Sequence, residues 1–206
     1  MIKGVLFDFD GTLTSPGALD FPAIKRELGC PLDQPILEYL DTVSPARRAK
    51  LMRDLEKMED LAAEASRPNE GVETLIAALK AKGLVMGILT RNSLGSVKKS
   101  LQKFNGVTIR DFAAVVTREE SLPKPHPDGV HAAAMRMDVS TQQLLVVGDF
   151  RFDVIAGNRA GASTVLLTHG DVSGMRPGDP EPDYTVNRLA EILDILESLK
   201  TIPTPP

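Results

Sequence analysis

The chain has 206 residues, a formal net charge of −4 and a hydrophobic fraction of 42%. These values indicate one globular domain of ordinary size with a small insertion. The acidic balance and an aromatic content of only 4% disfavour nucleic-acid binding, which needs basic surfaces and stacking side chains. The single cysteine, Cys30, excludes an intrachain disulfide, so we expect a reducing, cytoplasmic location. We expect no membrane span and no signal peptide, because no apolar run has the required length or flanks.

The first predicted strand covers residues 4–8 and ends at Asp8. The sequence there is Asp8-Phe9-Asp10-Gly11-Thr12. Successive side chains of a strand point to opposite faces, so Asp8 and Asp10 share one face. Two close carboxylates repel each other unless a proton or a cation lies between them. The pair therefore suits nucleophilic catalysis by a carboxylate with a metal, although an ordinary polar turn after a strand explains the same residues.

Residues 15–68 carry helix signals and no strand-like run. We predict helices over 21–28, 35–42 and 45–66, which form a small all-helical cap inserted after the first strand. The third helix carries an apolar stripe, which predicts packing rather than cofactor binding. The stripe consists of Leu51, Leu55, Met58, Leu61, Ala62 and Ala65. A basic cluster on the same helix is either a solvated face or a surface for an anionic leaving group. The cluster consists of Arg47, Arg48, Lys50 and Arg53.

The rest of the chain alternates strands and helices. Further strands are predicted at 84–90, 113–117, 144–148, 163–168 and 184–186, and helices at 69–82, 92–104, 127–137, 152–160 and 189–200. Near-continuous apolar strands are typical of sheets covered on both faces. We therefore predict a doubly wound, parallel α/β sheet of the Rossmann type, with residues 1–14 and 69–200 as the core and 201–206 as a disordered tail.

Polar residues follow the predicted strands. Thr90-Arg91-Asn92 is either a phosphate-binding corner at a helix N-terminus or a plain strand end with a helix cap. Lys124 lies between two prolines that stiffen its backbone, so it is either a fixed charge for a phosphate or a solvated loop lysine. Because ligands of α/β sheets bind beyond the carboxyl ends of the strands, we expect these groups to share one crevice.

A second acidic motif follows the fourth strand, where Gly148-Asp149 is succeeded by Asp153. Asp149 can hold a hard cation together with Asp8, since Mg²⁺ prefers oxygen ligands. Asp153 can support that ligand set or the lysine. An acid that complements the dipole of the next helix is the simpler interpretation.

The order of these motifs resembles the haloacid dehalogenase-like superfamily, in its phosphatase branch with a helical cap, similar to phosphoglycolate phosphatase. The resemblance runs from Gly4 to about Leu199. It implies that Asp8 attacks phosphorus to form an aspartyl-phosphate and that Asp10 is the general acid and base. It also implies that Thr90 and Lys124 hold the phosphoryl oxygens. Arg91 and Asn92 are expected to bind phosphate in the same loop.

The resemblance further implies one Mg²⁺, bound by the Asp8 carboxylate, the Asp10 backbone carbonyl and Asp149, with Asp153 completing or orienting the set. The expected partner is a small phosphate monoester, and the expected assembly is a monomer or homodimer. The expected function is Mg²⁺-dependent phosphomonoester hydrolysis. Two alternatives stay open: a phosphomutase of the β-phosphoglucomutase type, and a non-catalytic protein that senses a phosphorylated ligand.

Overall fold

A computed structural model describes residues 1–171 and 174–201. Six strands form one parallel sheet in the order β3-β2-β1-β4-β5-β6. The strands are β1 (Gly4–Phe7), β2 (Val85–Leu89), β3 (Ala114–Val116), β4 (Leu144–Gly148), β5 (Ser163–Leu167) and β6 (Tyr184–Val186). The predicted doubly wound α/β sheet is confirmed, because the chain leaves the central strand β1 first to one side and then to the other.

The described residues form eight α-helices in addition to short 3₁₀ turns. They are α1 (Phe21–Leu28), α2 (Ile36–Leu40), α3 (Pro45–Ala65), α4 (Val72–Ala81), α5 (Leu94–Leu101), α6 (Asp128–Arg136), α7 (Arg151–Ala160) and α8 (Ile192–Thr201). Apolar clusters form on both faces of the sheet, one around Phe7 and Ile88 and the other around Leu6 and Val146. None of these helices has the length and apolarity that a membrane crossing requires.

The pairing register aligns the carboxyl ends of β1, β2 and β4. Phe7 at the end of β1 pairs with Ile88 of β2 on one side and with Val147 of β4 on the other. The residues that follow these strands therefore emerge at one edge of the sheet. This edge is where a doubly wound sheet binds its ligands.

The helices α1, α2 and α3 lie between β1 and α4 in the chain, and we call residues 15–68 the cap segment. They share their own apolar cluster, which includes Leu28, Leu40 and Leu55. The two ends of the segment lie side by side. Thr14 forms an antiparallel bridge with Pro68, and the Ser15 amide donates to the carbonyl of Arg67 at 2.9 Å.

The buried face of α3 differs from the predicted stripe. Leu61 is 65% exposed, whereas Glu59 and Ala63 are each 4% exposed. The buried face continues the four-residue spacing of Leu51 and Leu55 through Glu59 to Ala63. A stripe built from apolar residues alone missed this face, because a buried glutamate paired with an arginine interrupts it.

Several helix boundaries also differ from prediction; α5, for example, covers Leu94–Leu101 instead of 92–104. Asn69 was expected to begin α4, but the helix begins at Val72 after Gly71 in the left-handed region. The Asn69 side-chain amide instead donates to the carbonyl of Thr12 at 2.8 Å, which fixes the loop after β1. At the other end of the chain, α8 extends one residue into the predicted tail, to Thr201. The remaining tail residues, 202–206, lie outside the described residues.

Candidate active site

A buried lysine joins two carboxylates at the end of β1. The Lys124 Nζ lies 2.6 Å from Asp8 Oδ1 and 2.6 Å from Asp153 Oδ1, and its side chain is 4% exposed. Burial by itself lowers the pKa of Lys124, but the two carboxylates outweigh this effect and raise the pKa to about 12. The lysine is therefore a permanent positive charge beside Asp8.

The backbone fixes Asp8 at the edge of the sheet. Its amide donates to the carbonyl of Val147 at 2.8 Å, which ties the end of β1 to β4. Its Oδ1 accepts from the amide of Phe9 at 2.6 Å. With its side chain 13% exposed, Asp8 is held in one direction yet still reaches the crevice. This is the arrangement that a carboxylate nucleophile needs.

The loop after Asp8 turns at Gly11, which has a φ of 77°. A Cβ at this position would overlap the carboxylate of Asp149, so glycine is required for both conformation and space. The Gly11 carbonyl lies 2.6 Å from the Nε2 of His169, which follows β5. Sequence analysis missed His169, because nothing in its neighbourhood resembles a motif.

The Asp10 carboxylate is bound by the loop after β2. Its Oδ2 accepts from the side-chain amide of Asn92 at 2.6 Å. Burial, reinforced by the negative charges of Asp8 and Glu59, raises the pKa of Asp10 to about 8. Asp10 therefore holds a proton at neutral pH, as a general acid must.

Three carboxylates converge beside Asp10. Asp8, Asp149 and Asp153 each offer one oxygen, and these oxygens lie within 4.8 Å of one another. Burial, followed by repulsion from Asp8, raises the pKa of Asp149 to about 8 and that of Asp153 to about 7. Such a donor set fits Mg²⁺, a hard cation that takes oxygen ligands and relieves this repulsion. The Asp10 carboxylate is not among the three, so Asp10 could contribute to a metal site only through its backbone.

The loop after β2 holds the predicted phosphate-binding residues in different ways. Thr90 is 4% exposed, and its hydroxyl oxygen accepts from the backbone amide of Asn92 at 3.1 Å. The hydroxyl proton of Thr90 can then be donated to a ligand. The Asn92 side chain is committed to Asp10 rather than aimed at a phosphate. The side chain of Ser93 caps α5 by accepting from the amide of Ser96.

The side chain of Arg91 is directed to the cap segment instead of the predicted phosphate. Its Nη1 and Nη2 lie 2.9 Å and 2.5 Å from the two carboxylate oxygens of Glu38 in α2. Its Nη1 also donates to the carbonyl of Lys124. Arg91 thus links the cap segment to the backbone of the catalytic lysine candidate.

A second core arginine holds the cap segment by a buried ion pair. The Arg118 Nη1 donates to Glu59 Oε1 of α3, and the two side chains are 5% and 4% exposed. Arg118 also donates to the carbonyl of Arg91 at 3.5 Å. Sequence analysis missed both residues. The one signal was a charged residue inside an otherwise apolar helix face, and that signal does not identify its partner.

A cavity of about 210 Å³ lies beside Asp10 and Asp149, and we call it the chamber. Residues 14–19 and Phe21, which we call the cap entrance, line it. The basic cluster of α3 lies elsewhere: its four residues are exposed, and none of them lines the chamber. Arg47 donates to the hydroxyl of Tyr39, and Arg48 pairs with Asp41 at 3.0 Å.

Comparison with known proteins gives one consistent family. Residues 16–167 match the family model described as haloacid dehalogenase-like hydrolase. An uncharacterized hydrolase of Saccharomyces cerevisiae is 30% identical, over 96% of this chain and 92% of the relative. A phosphoglycolate phosphatase of Escherichia coli O157:H7 is 28% identical, over 95% of this chain and 92% of the relative.

The fold also matches solved structures. A β-phosphoglucomutase from Clostridium difficile superposes with a TM-score of 0.74 at 16% identity, covering 98% of this chain and 100% of that one. At this identity the likeness concerns the fold alone.

Proposed function

The chain belongs to the haloacid dehalogenase-like hydrolase family, and from this premise we propose that it is an Mg²⁺-dependent phosphatase of small organic phosphate monoesters. The observation that carries the proposal is the unequal state of two neighbouring acids. Asp8 is paired with a charged lysine, whereas burial raises the pKa of Asp10 to about 8. One acid is therefore an anionic nucleophile and the other a proton donor.

The reaction has two steps. In the first, the Asp8 carboxylate attacks phosphorus, the bond between phosphorus and the ester oxygen breaks, and Asp10 gives its proton to that oxygen. In the second, the Asp10 carboxylate takes a proton from a water molecule, the water oxygen bonds to phosphorus, and the bond between phosphorus and the Asp8 oxygen breaks. Inorganic phosphate leaves, and both aspartates return to their starting states.

Positive charge has to offset the approach of an anionic nucleophile to an anionic phosphoryl group. Lys124 supplies one such charge beside Asp8. The Thr90 hydroxyl is suited to donate to a phosphoryl oxygen. Asp8, Asp149 and the Asp10 carbonyl would hold Mg²⁺, and Asp153, which pairs with Lys124, would complete or orient that set. Mg²⁺ bound there would supply further positive charge for the phosphoryl group.

The test is release of inorganic phosphate from a panel of phosphate monoesters, with Mg²⁺ and with a chelator in its place. We expect turnover that depends on Mg²⁺ and is lost in Asp8→Asn. Asp138→Asn is the matched control, since Asp138 is exposed and asparagine tolerates its left-handed backbone. Full activity of Asp8→Asn, or turnover that does not need a metal, would refute the mechanism.

The same panel separates the alternatives. Isomerisation of a sugar phosphate with little release of phosphate would favour a phosphomutase. Binding of phosphate esters without turnover would favour a sensor. A cytoplasmic enzyme remains our prediction for the location, since a lone cysteine forms no intrachain disulfide.

A further inference from the structure

The chamber is the space in which the alcohol part of a substrate has to lie. Asp10 lines the chamber, and in the proposed reaction Asp10 delivers a proton to the ester oxygen. The group bonded to that oxygen must therefore lie on the Asp10 side of the phosphoryl position. The inference below rests on the proposed function in this respect.

The chamber is lined by apolar, hydroxyl-bearing and acidic residues. Its side chains from the cap entrance are those of Thr14, Ser15, Pro16, Ala18, Leu19 and Phe21. Among the described residues, no lysine, arginine or histidine belongs to this lining. Among the described residues, the ionisable side chains that line the chamber are the carboxyl groups of Asp10 and Asp149.

Among the described residues, three cations beside the site already have anionic partners, and His169 lies 2.6 Å from the Gly11 carbonyl. Lys124 is paired with Asp8 and Asp153, Arg91 with a carboxylate of α2, and Arg118 with a carboxylate of α3. An anionic leaving group would have to break one of these pairs to gain a counter-charge. The pairs of Lys124 with Asp153 and of Arg118 with its glutamate are buried, and breaking such a pair leaves an uncompensated carboxylate behind, which is strongly unfavourable.

The volume and the hydroxyls of the chamber indicate what fits. At about 210 Å³ the chamber is smaller than the roughly 300–1,000 Å³ of pockets that hold drug-sized ligands. The Ser15 hydroxyl donates to the carbonyl of Pro68 at 3.1 Å, so its oxygen can accept a hydrogen bond from a ligand hydroxyl. Phe21, which is 51% exposed, offers an apolar wall at the rim.

We propose that the preferred substrates are phosphate monoesters of small, uncharged alcohols, and that the chamber discriminates against leaving groups carrying a carboxylate or a second phosphate. An anion entering the chamber would lose its hydration and gain no basic side chain of the lining in return. A neutral alcohol meets no such penalty. This specificity differs from that named for the phosphoglycolate phosphatase relative, since glycolate is an anion.

The test compares two esters that differ mainly in charge: 2-hydroxyethyl phosphate and 2-phosphoglycolate. We expect kcat/KM with Mg²⁺ to be about tenfold or more higher for 2-hydroxyethyl phosphate. Equal values, or a preference for 2-phosphoglycolate, would overturn the inference and leave the proposed phosphatase function intact. Absence of phosphate release from every ester would overturn the proposed function, and this inference with it.

Variants of the chamber test the cause. Ala18→Arg adds a cation to the lining, and we expect it to reduce the preference for the neutral ester about tenfold. Ala18→Gln adds length without charge and should keep the preference, and Ala49→Arg adds the same cation on an exposed part of α3, outside the chamber. Unfolding midpoints check that the variants fold, and Ser15→Lys replaces Ala18→Arg if the latter does not. An unchanged preference in a folded arginine or lysine variant would contradict the electrostatic explanation.

Discussion

The buried ion pair between Arg118 and Glu59 allows a quantitative test of how the cap segment is held on the core. The substitution Arg118→Met keeps most of the side-chain volume and removes the charge. It leaves the Glu59 carboxylate, which is 4% exposed, without its cation. Breaking a buried pair in this way typically costs about 3–5 kcal/mol of unfolding free energy. One oxygen of Glu59 and one nitrogen of Arg118 already lack hydrogen-bond partners among the described residues, so we expect the lower end, about 3 kcal/mol.

The assay is a double-mutant cycle followed by urea unfolding of Arg118→Met, Glu59→Leu and the double variant. We expect each single variant to lose stability and the double variant to lie within about 1 kcal/mol of the original protein, because it buries no unpaired charge. Arg48→Met is the matched control. It removes an arginine of the cap segment from a pair whose side chains are 49% and 65% exposed, so it should change stability by no more than about 0.5 kcal/mol.

The pH dependence gives a second measurement on the same variants. Burial raises the pKa of Glu59 even with Arg118 present, and removing Arg118 raises it further. A carboxyl with a raised folded-state pKa destabilises the fold only where it must ionise. The cost is absent below the unfolded pKa of about 4.5 and grows as the pH rises toward the folded pKa. Two results would refute the proposed role of the pair. One is a loss of unfolding free energy in the double variant that equals the sum of the two single losses; the other is an Arg118→Met loss that is the same at acidic and neutral pH.

Three further predictions concern the active site. Asp10→Asn should lower kcat for alkyl phosphates by about 10²–10⁴-fold, but much less for p-nitrophenyl phosphate, whose leaving group needs no proton; an equal loss for both would contradict the acid role. Gly11→Ala and Gly83→Ala should each add left-handed strain that lowers the unfolding free energy by about 1–2 kcal/mol in urea. Only Gly11→Ala should also lose activity, since its Cβ overlaps Asp149 whereas a Cβ at Gly83 meets nothing. Burial and repulsion raise the pKa of Asp149 to about 8 and that of Asp153 to about 7, so Mg²⁺ must displace protons to bind them. Mg²⁺ should therefore raise the unfolding midpoint more at about pH 8 than at about pH 6. Equal increases would argue against binding by these acids.

The sheet was predictable from sequence because its strands are buried on both faces and therefore read as continuous apolar runs. The bounds of β4 and β6 match the prediction, and the other strands differ by a residue at one or both ends. The meeting of Asp8, Lys124 and Asp149 followed from topology, since residues after parallel strands emerge at one edge. Their catalytic roles remain predictions for the assays above.

The contacts between the cap segment and the core were not predictable in the same way. Arg91 lies 53 residues from its partner Glu38, and Arg118 lies 59 residues from Glu59. No local pattern encodes such a pair, because its two members belong to segments with independent periodicities. Arg91 was therefore assigned to phosphate binding by its position in a motif, and its commitment to the cap segment became visible only in three dimensions.

The paired ends of the cap segment have a consequence for how such an enzyme changes its substrate. Since Thr14 and Pro68 form a bridge, the chain enters and leaves the insertion at neighbouring residues, much as it does at a hairpin turn. The strands that carry Asp8 and Asp149 end on the core side of that junction, whereas most of the chamber lining lies beyond it. A different insert joined at the same two residues could replace the surface proposed to recognise the alcohol and leave the residues proposed for phosphoryl transfer in place.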